Sequence, residues 1–268
     1  MGFRATIDSD INWRTAPTLT LPSMRGARAA NAYGIGADPL RNLVDPTKRR
    51  RVRGALPILY DEYARFTPGW PSTAKSLWSG VEATPEWTWL MIARLVLPDV
   101  AGNAMLFSNT SSIWPQTGAA ITGQAMLLLN ETANNNLARL RSQCSVHDGA
   151  APPVVTTQAA SMPDYNAATA GWQIFVSRRD ASGRLYTRIM GSNLDEAVTD
   201  PEPKAVALGG EIIIGSQTNA AATLSFDCAF DFQGDKSWTE NELVDNSATL
   251  AEWATVHKGL SIDAPNGI

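Results

Sequence analysis

The second half of the chain is organised in short runs where apolar and polar residues alternate. The clearest run extends from Leu224 to Phe232, with leucine, phenylalanine or cysteine at every second position and serine, alanine or aspartate between them. A period of two is typical of a strand with one buried face. The pattern predicts a strand whose Asp227 and Asp231 lie on a solvated face.

A second run, Trp87–Leu97, has apolar residues on both parities, which predicts a central strand covered on both faces. Further strands are predicted at 104–108, 125–130, 137–144, 154–157, 172–179, 184–190 and 211–215, with a hairpin turn at 180–183. Strands at this regular spacing indicate a sandwich or a barrel.

Helical patterns appear only after the last strand. Thr239 with Glu242 and Thr249 with Glu252 have the spacing of capping boxes, so two short C-terminal helices are predicted. His257 falls in the last turn, where a partly charged imidazole favours the helix dipole.

The first 84 residues contain glycine and proline too often for a long helix. Short strands are predicted at 18–21 and 56–63. We therefore expect an extended N-terminal arm over residues 1–84, used for anchoring or oligomerisation, and a sandwich over residues 85–268.

Charge is unevenly distributed in this acidic chain of net charge −4. Residues 1–65 hold 11 Lys/Arg against 6 Asp/Glu, and the remainder holds 11 against 20. The arm includes a basic run consisting of Lys48, Arg49, Arg50, Arg51 and Arg53. Such a run suits nucleic acid phosphates or an acidic neighbour. We favour a solvated or intersubunit face for assembly, because no nucleic-acid-binding motif accompanies it.

The sequence offers little material for catalysis or metal binding. Its only histidines are His147, in a turn-like segment without a nucleophile motif, and His257. Asp227 and Asp231 would lie about 13 Å apart along a strand, too far to share a calcium ion together with Asp235. We expect no cofactor and no metal.

Four aromatic residues in loop-like segments are candidate ligand-binding residues: Trp70, Trp78, Trp114 and Tyr165. An aromatic ring in a loop stacks on a sugar or anchors a protein interface. The alternative for each is a ring that fills the core beneath a loop.

The order of several motifs resembles the concanavalin A-like, laminin G-like jelly rolls over residues 85–262. The motifs are Trp87–Arg94, the hairpin of 171–176 and 184–186, Ile212–Ser216, and Phe226–Phe232 leading into Trp238–Leu243. The resemblance implies an all-β jelly-roll sandwich. The Glu-x-Asp-x-x-Glu strand of the glucanase branch is missing, so we expect no enzyme activity.

The arm and the sandwich together look like a bacteriophage virion protein, made in the host cytoplasm without a signal peptide. The resemblance implies a tail or fibre component that presents the sandwich to a host-surface glycan or to neighbouring subunits. Other virion proteins and sister chains, as a trimer, are the expected partners, with no membrane insertion and no nucleic acid. The alternatives are a capsid decoration protein and a glycan-cleaving enzyme on the same fold.

Cys144 and Cys228 both fall on the apolar parity of predicted strands, which indicates two buried thiols. We predict that both react with a thiol reagent only after denaturation, because the native core excludes the reagent. Thiol titration with and without denaturant measures this. Rapid labelling of the native protein, or a disulfide found by mass spectrometry, would contradict it.

Overall fold

The computed structural model describes residues 3–5, 19–70, 72–96, 100–110, 112–132, 136–150, 154–191, 195–199, 205–218 and 222–262. The first strands, in chain order, are β1 Phe3–Ala5, β2 Leu19–Leu21, β3 Ala27–Ala32, β4 Arg51–Val52, β5 Ile58–Leu59, β6 Ala64–Phe66, β7 Leu77–Glu82, β8 Trp87–Leu95, β9 Gly102–Ser108, β10 Ser112–Ile113, β11 Ala120–Ile121 and β12 Ala125–Asn130. The remaining elements are β13 Leu137–His147, β14 Val155–Ser161, β15 Tyr165–Asn166, α1 Ala167–Ala170, β16 Gln173–Arg179, β17 Leu185–Met190, β18 Asp195–Val198, β19 Ala205–Val206, β20 Glu211–Ile214, β21 Phe226–Gly234 and α2 Glu240–Lys258.

Two antiparallel sheets form a sandwich. Sheet I has the order β14-β13-β12-β9-β20-β7-β4, and β15 and β19 also pair with β13. Sheet II has the order β18-β17-β16-β8-β21-β6-β5, and β3 also pairs with β21. The predicted all-β sandwich is confirmed.

Sheet II is covered on both faces, which explains the apolar character of β8. Trp89 and Met91 enter the core between the sheets, whereas Leu90 and Ile92 belong to a second core on the outer face. There α2 packs on the sheet, with Trp253 edge-on to Phe230 at 5.9 Å. The predicted central strand is therefore confirmed.

One long helix replaces the two short helices predicted at the C-terminus. Its N-cap, Thr239, forms the predicted capping box with Glu242. Thr249 does not begin a second helix, because it lies inside the first and its hydroxyl donates to the carbonyl of Asp245. The helix ends at Gly259, which adopts the left-handed conformation at φ 63°.

A β-bulge in β21 reverses which side chains face the core. Cys228 lies opposite Ala93, but Phe230 lies opposite Ile92, so one residue of β21 is inserted between them. Before the bulge, the even-numbered side chains, such as Cys228, face the core between the sheets. After it, the even-numbered side chains, such as Phe230, face the second core on the outer face. The prediction of a solvated aspartate face is wrong, because Asp227 and Asp231 are both fully buried. Asp231 turns to the core after the bulge, whereas Asp227 stays on the outer face and is covered by Arg65 and Arg94.

Asp231 points into the core between the sheets and meets the guanidinium of Arg50. Arg50 Nη1 donates to Asp231 Oδ2 at 2.7 Å and Nη2 donates to Oδ1 at 2.5 Å. The Tyr33 hydroxyl donates to Oδ2 at 2.6 Å and accepts from Arg50 Nη1 at 2.5 Å. Burial raises the pKa of Tyr33 well above its usual value, so the phenol stays a hydrogen-bond donor.

The N-terminal segment is built into the sandwich instead of extending from it. Within its described residues, β3, β5 and β6 pair in sheet II, and β4 and β7 pair in sheet I. This differs from the expected arm, because short strands separated by glycine and proline satisfy their backbone groups by pairing with the sandwich. Whether the segment also drives assembly stays a prediction.

The basic run divides into buried and exposed members. Arg50 and Arg53 are buried, and Arg53 donates to Ser216 Oγ at 3.2 Å and to the Thr218 carbonyl at 2.6 Å. These two arginines do not lie on the solvated or intersubunit face that was predicted, because the chain's own polar groups bind them. Lys48, Arg49 and Arg51 are exposed, and they pair with Asp45, Asp38 and Glu211, respectively.

Both cysteines are buried, as the alternation predicted. Burial raises the pKa of the Cys228 thiol well above its usual value, which disfavours the reactive thiolate. No helix within the described ranges is long and apolar enough to cross a membrane.

We predict that Arg50→Met lowers the free energy of unfolding by about 3–5 kcal/mol, because it leaves the Asp231 carboxylate buried without its cation. The double variant Arg50→Met/Asp231→Leu should recover most of this loss, since it removes both charges. Denaturant unfolding at neutral pH measures the differences. Arg49→Met, which breaks an exposed pair, is the control and should change stability little. If Arg49→Met lowered stability as much as Arg50→Met, the assigned role of Arg50 would be contradicted.

Candidate functional site

A polar groove lies where the hairpin β16–β17 meets the N-terminus of α2. We call it the arginine–tyrosine groove, and it encloses about 320 Å³. Its polar lining includes Arg178, Arg184, Tyr186, Arg188 and Glu240. Arg178 and Tyr186 lie opposite each other on the outer face of sheet II. Because side chains alternate along a strand, Arg184 and Arg188 lie on the same face as Tyr186.

Glu240 holds two of the arginines in place. Arg178 Nη2 lies 3.0 Å from Glu240 Oε2, and Arg188 Nη1 donates to the other carboxylate oxygen. Arg178 Nη1 also donates to the carbonyl of Trp238 at 2.6 Å. Both guanidiniums are thus fixed by hydrogen bonds to the start of the helix.

The ring of Tyr186 contacts two guanidiniums. The Cζ atoms of Arg178 and Arg184 lie 4.1 and 4.8 Å from its ring centroid. Its hydroxyl is 3.2 Å from Asp180 Oδ2 in the hairpin turn. Partial burial, followed by the negative charge of Asp180, raises the pKa of Tyr186, which therefore remains protonated at neutral pH.

The arrangement can bind a polyhydroxylated ligand. Guanidiniums donate in a planar fork, and a carboxylate accepts at two oxygens, so together they satisfy neighbouring hydroxyl groups of both polarities. Ring contacts and the Glu240 bridge fix these groups before a ligand arrives, which reduces the entropy lost on binding.

The four aromatic candidates from the sequence do not lie together. Trp70 is 62% exposed in the loop before β7. Trp78 is partly buried on β7, with the Cζ atoms of Arg51 and Arg53 at 5.7 and 5.0 Å from its ring centroid. Its ring therefore contacts the chain's own basic run.

The other two candidates pack inside the fold. Trp114 is 7% exposed and its ring centroid lies 4.5 Å from that of His147. Tyr165 packs 6.2 Å from Phe175, and burial raises the pKa of its phenol. Trp70 thus has the accessible ring that surface stacking requires, and its part in binding stays a prediction.

Sequence reasoning missed the arginine–tyrosine groove although part of its signal was present. The predicted hairpin already contained Arg178, Arg184, Tyr186 and Arg188, and strand alternation puts the last three on one face. The register that sets Arg178 opposite Tyr186 was not predicted. The missing part was Glu240, because nothing in the local pattern shows that the start of the last helix returns to this hairpin.

The histidines lie apart. His147 ends β13 and packs on Trp114, whereas His257 is exposed in the last turn of α2, where it was predicted. Within the described ranges, no three His, Cys, Asp or Glu side chains are placed to hold a metal ion.

No family model and no curated protein matches the sequence. Similar solved structures include the receptor binding domain of botulinum neurotoxin D, at TM-score 0.50 and 10% identity, covering 81% of this chain and 51% of that chain. The binding domain of botulinum neurotoxin serotype D/C VPI 5993 matches at TM-score 0.51 and 9% identity, covering 81% and 50%. The chain thus spans about half the length of these structures. At such identity the likeness establishes the β-sandwich fold alone.

Proposed function

We propose that this chain is a non-enzymatic binding protein whose β-sandwich recognises a glycan in the arginine–tyrosine groove. The observation that carries the proposal is the bridge in which the Glu240 carboxylate holds the guanidiniums of Arg178 and Arg188. Fixed donors and acceptors at the edge of a rigid sheet are the groups that a saccharide's hydroxyls require.

The fold comparison gives this proposal a context. One structure that shares the sandwich is described as a receptor binding domain. A shared fold does not transfer a ligand, so a glycan is proposed on the groove of this chain alone.

We further propose that the protein belongs to a bacteriophage virion, as a tail or fibre component. This placement is supported by the jelly-roll resemblance and by an N-terminal segment rich in glycine and proline. Capsid decoration is the second candidate position. A glycan-cleaving enzyme is less favoured, because Glu240 is engaged by two guanidiniums and so is poorly placed to act as a general acid.

We predict that Glu240→Gln weakens glycan binding about tenfold or more, because it breaks the charged bridge to Arg178 and Arg188 and removes one of the two carboxylates that line the groove. A glycan array followed by calorimetry with the best ligand measures the effect. Glu252→Gln, the same change at an exposed position about 18 Å further along the helix, is the control.

Three results would count against this site or this function. Equal binding by the two variants would exclude the groove as the site, and binding lost only in Trp70→Ala would move it to the loop before β7. A bound glycan that is cleaved, with cleavage lost on substitution of one carboxylate, would support the enzyme alternative.

We also predict that the exposed part of the basic run contributes to assembly. Lys48→Gln/Arg49→Gln should lower the subunit number at a given concentration, because it removes two cations from a face available to an acidic neighbour. Light scattering at several concentrations measures it. Deleting residues 1–65 is not a clean test, since it also removes Arg50 from the core. An unchanged subunit number, or a chain that is monomeric throughout, would contradict the prediction.

A further inference from the structure

A second groove lies on sheet II at the opposite end of β8. We call it the paired-arginine groove, and it encloses about 350 Å³. Its charged lining consists of Arg65, Arg94 and Asp227, and the rest is small or apolar, including Ala168 and Gly171.

Two cations share one buried carboxylate here. Arg65 Nε and Nη2 donate to the two oxygens of Asp227 at 2.7 and 3.0 Å, and Arg94 Nε donates to Oδ2 at 2.9 Å. Asp227 is fully buried, whereas the side chains of Arg65 and Arg94 are 28% and 38% exposed. The charged lining therefore presents an excess of one positive charge to solvent.

Aromatic rings fix the orientation of both guanidiniums. Arg65 Cζ lies 5.2 Å from the ring centroid of Tyr60, and Arg94 Cζ lies 5.2 Å from that of Tyr63 and 4.9 Å from that of Trp172. Tyr60 and Tyr63 also stack on each other at 4.7 Å. The side chains of Arg65 and Arg94 are therefore already ordered, so little conformational entropy is lost when a ligand binds them.

From this geometry we infer that the paired-arginine groove binds an oxyanion, the carboxylate of an acidic sugar or a phosphate monoester. Asp227 accepts from the Nε and Nη2 edge of Arg65 and from Nε of Arg94, while Arg94 Nη2 donates to the Tyr63 hydroxyl at 3.4 Å. An oxyanion matches the remaining Nη N–H groups of the two arginines in the charge-assisted way that guanidiniums favour. The excess positive charge is then neutralised by the ligand.

The inference does not depend on glycan binding in the arginine–tyrosine groove, because the two grooves share no lining residue. Arg178 pairs with Thr88 and Asp227 pairs with Arg94, so the grooves are separated by six residues of β8, about 20 Å. Each can be disabled without touching the other.

The test is titration of the full chain at low ionic strength with sodium glucuronate, glucose 6-phosphate and neutral glucose, followed by NMR or calorimetry. We expect both anions to bind, with affinity that falls as salt is added, and glucose to bind this groove more weakly or not at all. Tighter binding of glucuronate would indicate that the groove takes the carboxylate of an acidic sugar. Tighter binding of glucose 6-phosphate would indicate that it takes a phosphate monoester.

Variants connect binding to the groove. Arg94→Gln should weaken anion binding about tenfold or more, and Arg94→Lys should weaken it less. Arg65 keeps its two contacts to Asp227 in both variants, and their unfolding midpoints verify the fold. Arg139→Gln, at an arginine 31% exposed and paired with Asp164, is the matched control.

Absence of anion binding, binding as strong for glucose as for glucuronate, or equal loss in Arg94→Gln and Arg139→Gln would overturn the inference. Failure of the glycan array together with anion binding here would reject the first groove and leave this one intact.

Discussion

The buried ion pair between Arg50 and Asp231 is the constraint on which the rest of the structure depends. Both side chains are fully shielded from water, so each charge is tolerated only because the other is held beside it. Arg50 belongs to the N-terminal segment and Asp231 to β21 near the C-terminus. The pair therefore joins the segment between β3 and β4 to β21 across the core of the sandwich.

The bulge in β21 makes this pair possible and also shapes the outer surface. Before the bulge, Asp227 points to the outer face, where it accepts hydrogen bonds from Arg65 and Arg94. After the bulge, Asp231 points between the sheets, and Phe230 turns outward to meet α2. Because one residue is inserted between them, Asp227 and Asp231 lie on opposite faces of the same strand. One aspartate lines a surface groove and the other forms an internal ion pair.

The sequence predicts strands, turns and helix caps better than it predicts the burial and the partners of their side chains. The hairpin, the central strand Trp87–Leu95 and the capping box at Thr239 depend on local patterns, and local patterns are visible in one segment. The bulge at Cys228–Phe230 is invisible there, because the residues on both sides of it keep a perfect alternation. The arginine partners of Asp227 and Asp231 are distant in sequence, so burial of those aspartates could not be read from β21 alone.

The same limit explains why the candidate sites differ from the predicted ones. Exposed loop aromatics commonly bind sugars, yet Trp114 is buried, Tyr165 is partly buried against Phe175, and Trp78 contacts Arg51 and Arg53. In both grooves an aromatic ring likewise supports a guanidinium, and a carboxylate from another element sets its direction. If the grooves bind ligands as proposed, such a ring contributes indirectly, because it restricts a long cationic side chain whose freedom would otherwise be lost on binding.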